Sequence, residues 1–382
     1  MARRGLRVDL VHWMPVEMYP PTMNLARELA GRGWQVRIHT THNRHGLREF
    51  EGNGIEIRRA ASPVRGSSFG RAWSYAGFHL GTARRLAANP PDAVMYFEPQ
   101  SSFPVLLATK ARHGLPVFIH HHEYHEPAEF LAPGMRLARL FHDYEKRVLF
   151  PRARWISHTN EARLELFLAD NGEDLRGKSR ILRNLPPREW GSEPNRAWTG
   201  QNDGPFRMVY VGSLSCGDTY IEACTRWILA QPPHTVTLDV YAYNADDETR
   251  EFLKSVEGPA IRFHQGGVPY DELPNVLRGF HAGLILYRAR TLNYRHNASN
   301  KLFEYLACGL DALYPPTMRG VKQYERSDAA PRVIEVDFEA GNIDLAMLAS
   351  RDGLPAAAYP GTASTEIERL ADALTEAAST RE

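Results

Sequence analysis

The chain has 382 residues, of which 43% are hydrophobic and 24% charged, and 46 Lys and Arg nearly balance 45 Asp and Glu. That length exceeds one ordinary core and divides into two domains of under about 200 residues each. No apolar run approaches the roughly 18 residues of a membrane span, and three cysteines without a CxxC spacing make neither a disulfide framework nor a zinc site.

The opening "MARRGLRVDLVHWMP" is a poor signal peptide, because Asp9 and His12 interrupt its apolar run and no small-residue cleavage site follows; the expected location is cytoplasmic. From there strand-like and helix-like runs alternate. "LRVDLVHW" reads as a strand, "TMNLARELAGRGW" as a helix stopped by Gly31 and Gly33, and "QVRIHTT" as the next strand. "DAVMYFE", the helical "FPVLLATKARHG", "LPVFIHHH" and "ARWISHT" continue the alternation, which predicts a parallel sheet with helices on both faces. Residues 186–205, "PPREWGSEPNRAWTGQNDGP", lack an apolar period, and 191–205 is the expected linker between a first domain, 1–190, and a second, 206–360. The alternation restarts with "FRMVYVGS" and runs through "TVTLDVYAY", "IRFHQG" and "AGLILYRA" to "DALYPP". The final helix-like segment, within 361–382, is expected to pack back on the first domain. Charge divides unevenly: residues 1–190 hold 28 Lys and Arg against 19 Asp and Glu, net +9, and residues 191–382 hold 18 against 26, net −8. The basic half suits an anionic surface such as a membrane, although scattered solvated arginines account for it equally well.

One short helix carries chemistry. In "NASNKLFEYLACGLDALYPP", Ser299 or Asn300 caps the start and Gly309 follows the end. Apolar residues cover most of its circumference, yet Lys301 and Glu304 share a narrow stripe with Cys308. Lys before Glu is the weaker order for an intrahelical pair, worth at most about 0.5 kcal/mol. A helix N-terminus at the carboxyl end of a parallel strand suits a phosphate, Lys301 adds positive charge there, and Glu304 one turn deeper can accept from two ribose hydroxyls.

The stretch "ASNKLFEYLACGL" resembles the donor-binding helix of GT-B glycosyltransferases, in particular retaining family 4-like enzymes, and the likeness extends in outline over the rest of the chain, through "YVGSL" and "GGVPYDELPNVL". It implies an α/β fold of two Rossmann-like domains whose parallel sheets face each other across a cleft. It also implies transfer of a sugar, without a metal or other cofactor, from a nucleotide-diphosphate sugar to a hydroxyl of a glycan or lipid-linked acceptor, in cell-surface polysaccharide or glycoconjugate synthesis. The implied donor site is Glu304 on the ribose, Ser299, Asn300 and Lys301 at the phosphates, Gly212 and Ser213 on the loop after "VG", and Gly267 and Val268 near the base. The implied partners are the nucleotide sugar and the acceptor, to which the basic first half adds an anionic membrane surface, with no nucleic acid. The sequence departs from the pattern at His296, where retaining members often carry a glutamate near the transferred sugar. The loop "VGSLSCGD" also lacks the family's basic residues, a charge that Arg288, Arg290, Arg295 or Lys301 can supply. Asp311 stands where the family usually has proline, and reads as a strand-entry difference without chemical meaning.

"FIHHHEYHE", residues 118–126, admits three readings: a metal site, histidines that cap a strand, or part of a catalytic cleft. The resemblance favours the last, with His122 and Glu123 beside the donor sugar and His296 completing the catalytic set. Glu98 ends the preceding strand, and the first loop carries Glu17 and Tyr19 before Pro20 and Pro21, so Glu17, Tyr19 and Glu98 are the expected acceptor contacts. An inverting enzyme would draw its base from Glu17, Glu98 or Glu123. Asp246 and Asp247 read as a helix cap, not a metal pair. Trp73 and Tyr75 beside Arg71 form an aromatic edge open to lipid or sugar, or to the core. Two other functions fit the same architecture: a non-hydrolysing sugar-nucleotide epimerase, and a catalytically silent carbohydrate-binding or scaffold protein.

Overall fold

The structure, a computed structural model, describes residues 5–44, 46–62, 68–132, 135–191, 204–349, 351 and 353–379. Most of the expected linker, 192–203, and the side chain of Arg71 lie outside the described residues. The chain forms two compact units, one of residues 1–44, 48–183 and 363–382, the other of residues 45–47 and 184–362.

The first unit holds seven strands: β1 (Arg7–His12), β2 (Gln35–Thr41), β3 (Ile55–Ala60), β4 (Ala93–Phe97), β5 (Val117–His121), β6 (Trp155–His158) and β7 (Ser179–Ile181). They are ordered β3-β2-β1-β4-β5-β6-β7, all parallel. Helices cover both faces, so the central strands are buried on both sides; all of β4 and β5 is buried. The edge strand β3 has no fully buried residue, and its "IEIRRA" mixes charge with isoleucine, which hides it from an apolar-run reading. The helix Ala363–Ser379 belongs to this unit, where Arg32 donates to the Ser364 carbonyl at 2.9 Å and the Arg183 amide donates to Glu366 at 2.7 Å.

The second unit holds β8 (Phe206–Val211), β9 (Val236–Ala242), β10 (Ile261–Gln265), β11 (Ala282–Leu284), β12 (Asp311–Tyr314) and β13 (Val333–Glu335), ordered β10-β9-β8-β11-β12-β13 and again parallel. Both sheets therefore reverse strand order beside their first strand, between β1 and β4 and between β8 and β11. In open α/β sheets such reversals open a crevice at the carboxyl ends of the strands, where ligands bind. Asp311 has a structural task that its sequence position does not disclose. Its carboxylate takes the Arg332 guanidinium at 2.7 and 3.0 Å and the Arg332 amide at 2.7 Å, and both side chains are buried. The pair ties β12 to the start of β13.

The helix Asn300–Ala307 lies on β11 and β12, with all residues from Lys301 to Ala307 buried. Gly283 permits that approach: a Cβ there would run into the Tyr305 ring, while the Tyr305 hydroxyl donates to the Leu284 carbonyl at 3.3 Å. Gly283→Ala should therefore push the helix off the sheet and cost about 1–3 kcal/mol of stability. Denaturant unfolding of the variant measures it, and a variant as stable as the parent would contradict this account of the packing.

Candidate functional site

At the reversal point of the second unit, β8 is followed by Gly212, whose φ of 117° is accessible to glycine at little cost. A Cβ on Gly212 would sit 3.0 Å from Lys301 Nζ, so the loop after β8 and the first turn of the helix Asn300–Ala307 touch. Ser299 caps that helix, its hydroxyl accepting from the Lys301 amide at 3.2 Å. Lys301 is buried; its ammonium donates to the Tyr287 hydroxyl at 2.6 Å and lies over the rings of Tyr287 and Tyr210, 4.8 and 5.3 Å from their centroids. It makes no ion pair with Glu304 among the described residues.

Glu304 is buried as well, and its carboxyl has no hydrogen-bond partner among the described residues. Burial pushes its pKa up to about 7, against the opposing pull of Lys301. Its oxygens are not among the fully buried unpartnered atoms, so they keep access to solvent and stand open to a donor from outside the protein. A Cβ on Gly267, whose φ is 69°, would sit 3.3 Å from Tyr243, which is close enough to Ser213, Lys301 and Glu304 for each to act on its hydroxyl; Val268 packs on the core beside it. Gly212, Ser213, Ser299, Lys301 and Glu304 thus lie together, with Gly267 joined to them through Tyr243 and Asn300 opening the helix. A cavity of about 350 Å³ beside them is lined by Ser213, Tyr287 and Arg290 among others.

Two expected residues are placed differently. Ala289 adopts a left-handed φ of 52°, and the arginines flanking it have different surroundings. Arg290 lines the cavity, whereas Arg288 donates to the Thr219 carbonyl at 3.0 Å, stacks over Tyr220 at 4.6 Å and meets Glu339 at 3.3 Å. Its guanidinium is committed to these partners. His296 closes the short helix Leu292–Arg295, its amide donating to the Leu292 carbonyl at 3.0 Å, and its own carbonyl leaves no room for a Cβ on Gly320. Tyr210, Tyr243 and Tyr287 were not among the expected residues. Tyr243 and Tyr287 follow β9 and β11, and that position beyond a strand end was the available signal.

At the reversal point of the first unit, His12 ends β1 and Glu98 follows β4. Glu98 takes a left-handed φ of 64°, uncommon for a residue with a side chain. That turn brings its Oε1 to the amides of His122 at 2.6 Å and Glu123 at 3.3 Å. The His122 ring stacks on Phe97 at 5.3 Å, lies 5.3 Å from Tyr19 and 5.8 Å from His12, and shares a 3.1 Å hydrogen bond with the Thr22 hydroxyl. Burial holds His12 down at about 3 and His122 well below its ordinary value, so both rings are neutral. Three buried polar atoms here, His12 Nε2, His122 Nδ1 and Glu98 Oε2, have no hydrogen-bond partner among the described residues.

The neighbouring histidines have different hydrogen-bond partners: His120 meets Ser157 at 2.9 Å, its ring edge-on to the His122 ring at 4.6 Å, and His121 meets Glu145 at 3.4 Å. Among the described residues no group of three His, Cys, Asp or Glu comes together to hold a metal ion. Glu123 is exposed and lines a separate cavity of about 200 Å³. Glu17, expected to face an acceptor or act as base, is instead bound to Arg59 at 2.6 Å and to the Phe50 amide at 2.9 Å, an ion pair that fastens the first loop. Asp246 caps its helix as expected, accepting from the Thr249 amide at 2.8 Å. Tyr75 stacks on Trp13 at 4.2 Å, while Trp73 is exposed.

Residues 20–176 match the model of the glycosyl transferase 4-like domain. A comparison of the sequence with curated proteins finds no match. Among solved structures, Anabaena HepE in complex with UDP-glucose has a TM-score of 0.63 at 11% identity, covering 98% of this chain and 99% of that one. Sucrose-phosphate synthase from Thermosynechococcus elongatus gives 0.63 at 12% identity, covering 98% and 97%. The apo lipopolysaccharide outer core galactosyltransferase WaaB gives 0.56 at 12% identity, covering 99% and 100%. The expected resemblance to GT-B glycosyltransferases is thus met: the fold is GT-B, and the domain model names the enzyme class.

The raised carboxyl of Glu98 has a consequence for stability. Burial, reinforced by the nearby Glu123 charge, lifts it from an ordinary 4.5 to about 8. Between those values the folded chain holds a proton that the unfolded chain releases, so the contribution is fully present below about pH 4.5 and is lost as pH rises through about 8. This one contribution is a few kcal/mol, on the order of the shift itself, and because the buried neutral histidines act in the opposite sense below about pH 6.5, it is read as the difference in melting between the wild type and a Glu98 variant across that range. Glu98→Gln, which keeps an acceptor for the two amides, should flatten part of the fall. Equal pH dependence in both proteins would contradict this placement of the carboxyl.

Proposed function

We propose, for a chain whose first unit carries a glycosyl transferase 4-like domain within a GT-B fold, that it transfers a sugar from a nucleotide-diphosphate sugar to a hydroxyl of a glycan or lipid-linked acceptor. The reading rests above all on Glu304, a buried carboxyl without a protein partner, one helical turn from a buried ammonium at a capped helix N-terminus. Two vicinal ribose hydroxyls are the donors that would satisfy it, and a diphosphate is the anion that the helix tip and Lys301 would neutralise. Gly212 and Ser213 would let the backbone come close to the phosphates. Gly267 and Val268 would border the base, packed on Tyr243.

Catalysis on this reading comes from stabilising charge as it develops on the departing diphosphate, through helix-tip amides and Lys301, with Arg290 in the adjoining wall. The protein's own cations take the part that a divalent ion plays elsewhere. The first unit would receive the acceptor at its own reversal point, where His12, His122 and Glu98 leave polar atoms for sugar hydroxyls. Its buried rings are neutral, so they would accept or share hydrogen bonds without contributing charge. Polysaccharide or glycoconjugate synthesis is the setting that such chemistry serves.

UDP, carried as UDP-glucose in the HepE structure, is the first nucleotide to titrate, and a thermal-shift panel of the other nucleoside diphosphates selects the base. For the nucleotide that binds, Glu304→Ala should weaken affinity by about tenfold or more, the worth of a charge-assisted hydrogen bond. Lys301→Ala should weaken the diphosphate strongly and the bare nucleoside little. Calorimetry reads both, and unchanged affinity in Glu304→Ala would remove the ribose role. With donor and acceptor together, a new glycoside should form; conversion of the donor without an acceptor would show an epimerase instead.

A further inference from the structure

The helix Arg136–Tyr144 continues through a π-helical turn, Glu145–Leu149, into Phe150–Arg152. Its inner face is anchored: Ala138, Phe141, Leu149 and Phe150 are buried. Leu137, Leu140 and Tyr144, spaced i, i+3 and i+7, form a stripe that nothing in the first unit covers, exposed by 37%, 48% and 39%, and Leu131 just before the helix is 67% exposed. These are four of the eight large apolar side chains exposed among the described residues.

The same segment is strongly basic on its outside. Arg136, Arg139, Lys146, Arg147, Arg152 and Arg154 are all exposed, and none of the six forms an ion pair among the described residues. Two carboxylates lie in the segment. Glu145 is drawn inside, where it meets His121 at 3.4 Å and His142 at 3.2 Å, and Asp143 is half-buried. Nearby, Asp170 is held by the Tyr124 hydroxyl at 2.5 Å, and its carbonyl accepts from Lys146 at 3.1 Å. Between residues 131 and 154 the described surface therefore offers leucines, a tyrosine and cations, and no fully exposed acid.

We propose that this face docks the first unit on an anionic lipid surface, with the apolar stripe in the headgroup boundary and the arginines on lipid phosphates. Each half of the pattern excludes an alternative. A polyanion such as nucleic acid would satisfy the arginines and leave the leucines in water. A second copy of this chain meeting face to face would oppose six cations with six cations. A lipid interface offers an apolar phase and negative charge at adjoining depths, and a basic amphipathic helix suits both. No helix of the described residues is long and apolar enough to cross a membrane, so attachment by this face would be peripheral and reversible. The inference is independent of the donor site.

Sedimentation of the full chain with vesicles tests it, comparing phosphatidylcholine alone with phosphatidylcholine mixed with phosphatidylglycerol. Binding is expected only to the mixed vesicles and should weaken with added salt. Leu137→Ser with Leu140→Ser, and separately Arg136→Gln, Arg139→Gln and Arg147→Gln together, should each lower partition by more than about tenfold. Melting temperature and nucleotide affinity should stay at wild-type values; the arginine variant, altered only at exposed unpaired positions, carries the test if the serine variant folds poorly. Wild-type protein that ignores anionic vesicles, variants that bind them equally well, or a wild-type dimer dissociated by the substitutions would each overturn the proposal.

Discussion

Two charged side chains buried one turn apart on the same helix, and not spent on each other, organise the second unit. Burying a carboxyl costs several kcal/mol unless it is paired or protonated. Glu304 meets that cost in the free protein by shifting its pKa to about 7. Lys301 meets it differently, through one tyrosine hydroxyl and the faces of two tyrosine rings. A sheet reversal, a glycine under Tyr305 and the Asp311–Arg332 ion pair beyond it hold the helix where these costs are incurred. Such an arrangement is stable without ligand and better satisfied with one. That is what preorganisation would require of the donor site proposed above.

The first unit repeats the device with different chemistry. There a strained backbone at Glu98 turns a buried carboxyl onto the amides after β5, and this fixes His122 against Phe97, Tyr19 and Thr22. Strain of this kind persists where the surroundings over-determine it, which is common at functional sites. Arg163 completes the support by donating to the His122 carbonyl at 2.7 Å. The histidine run thus divides: His121 turns to Glu145, while the His120 ring meets Ser157 and packs edge-on against the His122 ring.

Much of this was legible in the sequence because parallel strands buried on both faces appear as apolar runs. "QVRIHTT" is β2 residue for residue, and the helix cap at Ser299 and the stop at Gly309 follow from local chemistry. What escaped were elements whose signal lies in packing. The edge strand β3 is half charged, β7 and β13 are three residues each, and the helix Ser68–Ala88 dilutes its apolar face with glycine and serine. The site divides the same way. Lys301 and Glu304 could be read from one helix, but the tyrosines around Lys301 come from three other segments. The fates of Glu17 and Arg288 turn on partners, Arg59 and Glu339, that lie 42 and 51 residues along the chain. Asp311 looked incidental because Arg332 could be seen only in space.

The proposed contact between the Glu304 carboxylate and a pentose is tested alone by a hydroxyl-deletion cycle. Affinities would be measured for the preferred nucleoside diphosphate and for its 2′,3′-dideoxy form, each against the wild type and Glu304→Gln. A buried group built to accept hydroxyls discriminates against the analogue that lacks them. Wild-type protein should therefore lose about tenfold or more in affinity for the dideoxy form, and the variant should lose most of that preference, leaving a coupling well above zero. Equal discrimination by both proteins would show that Glu304 does not touch the ribose.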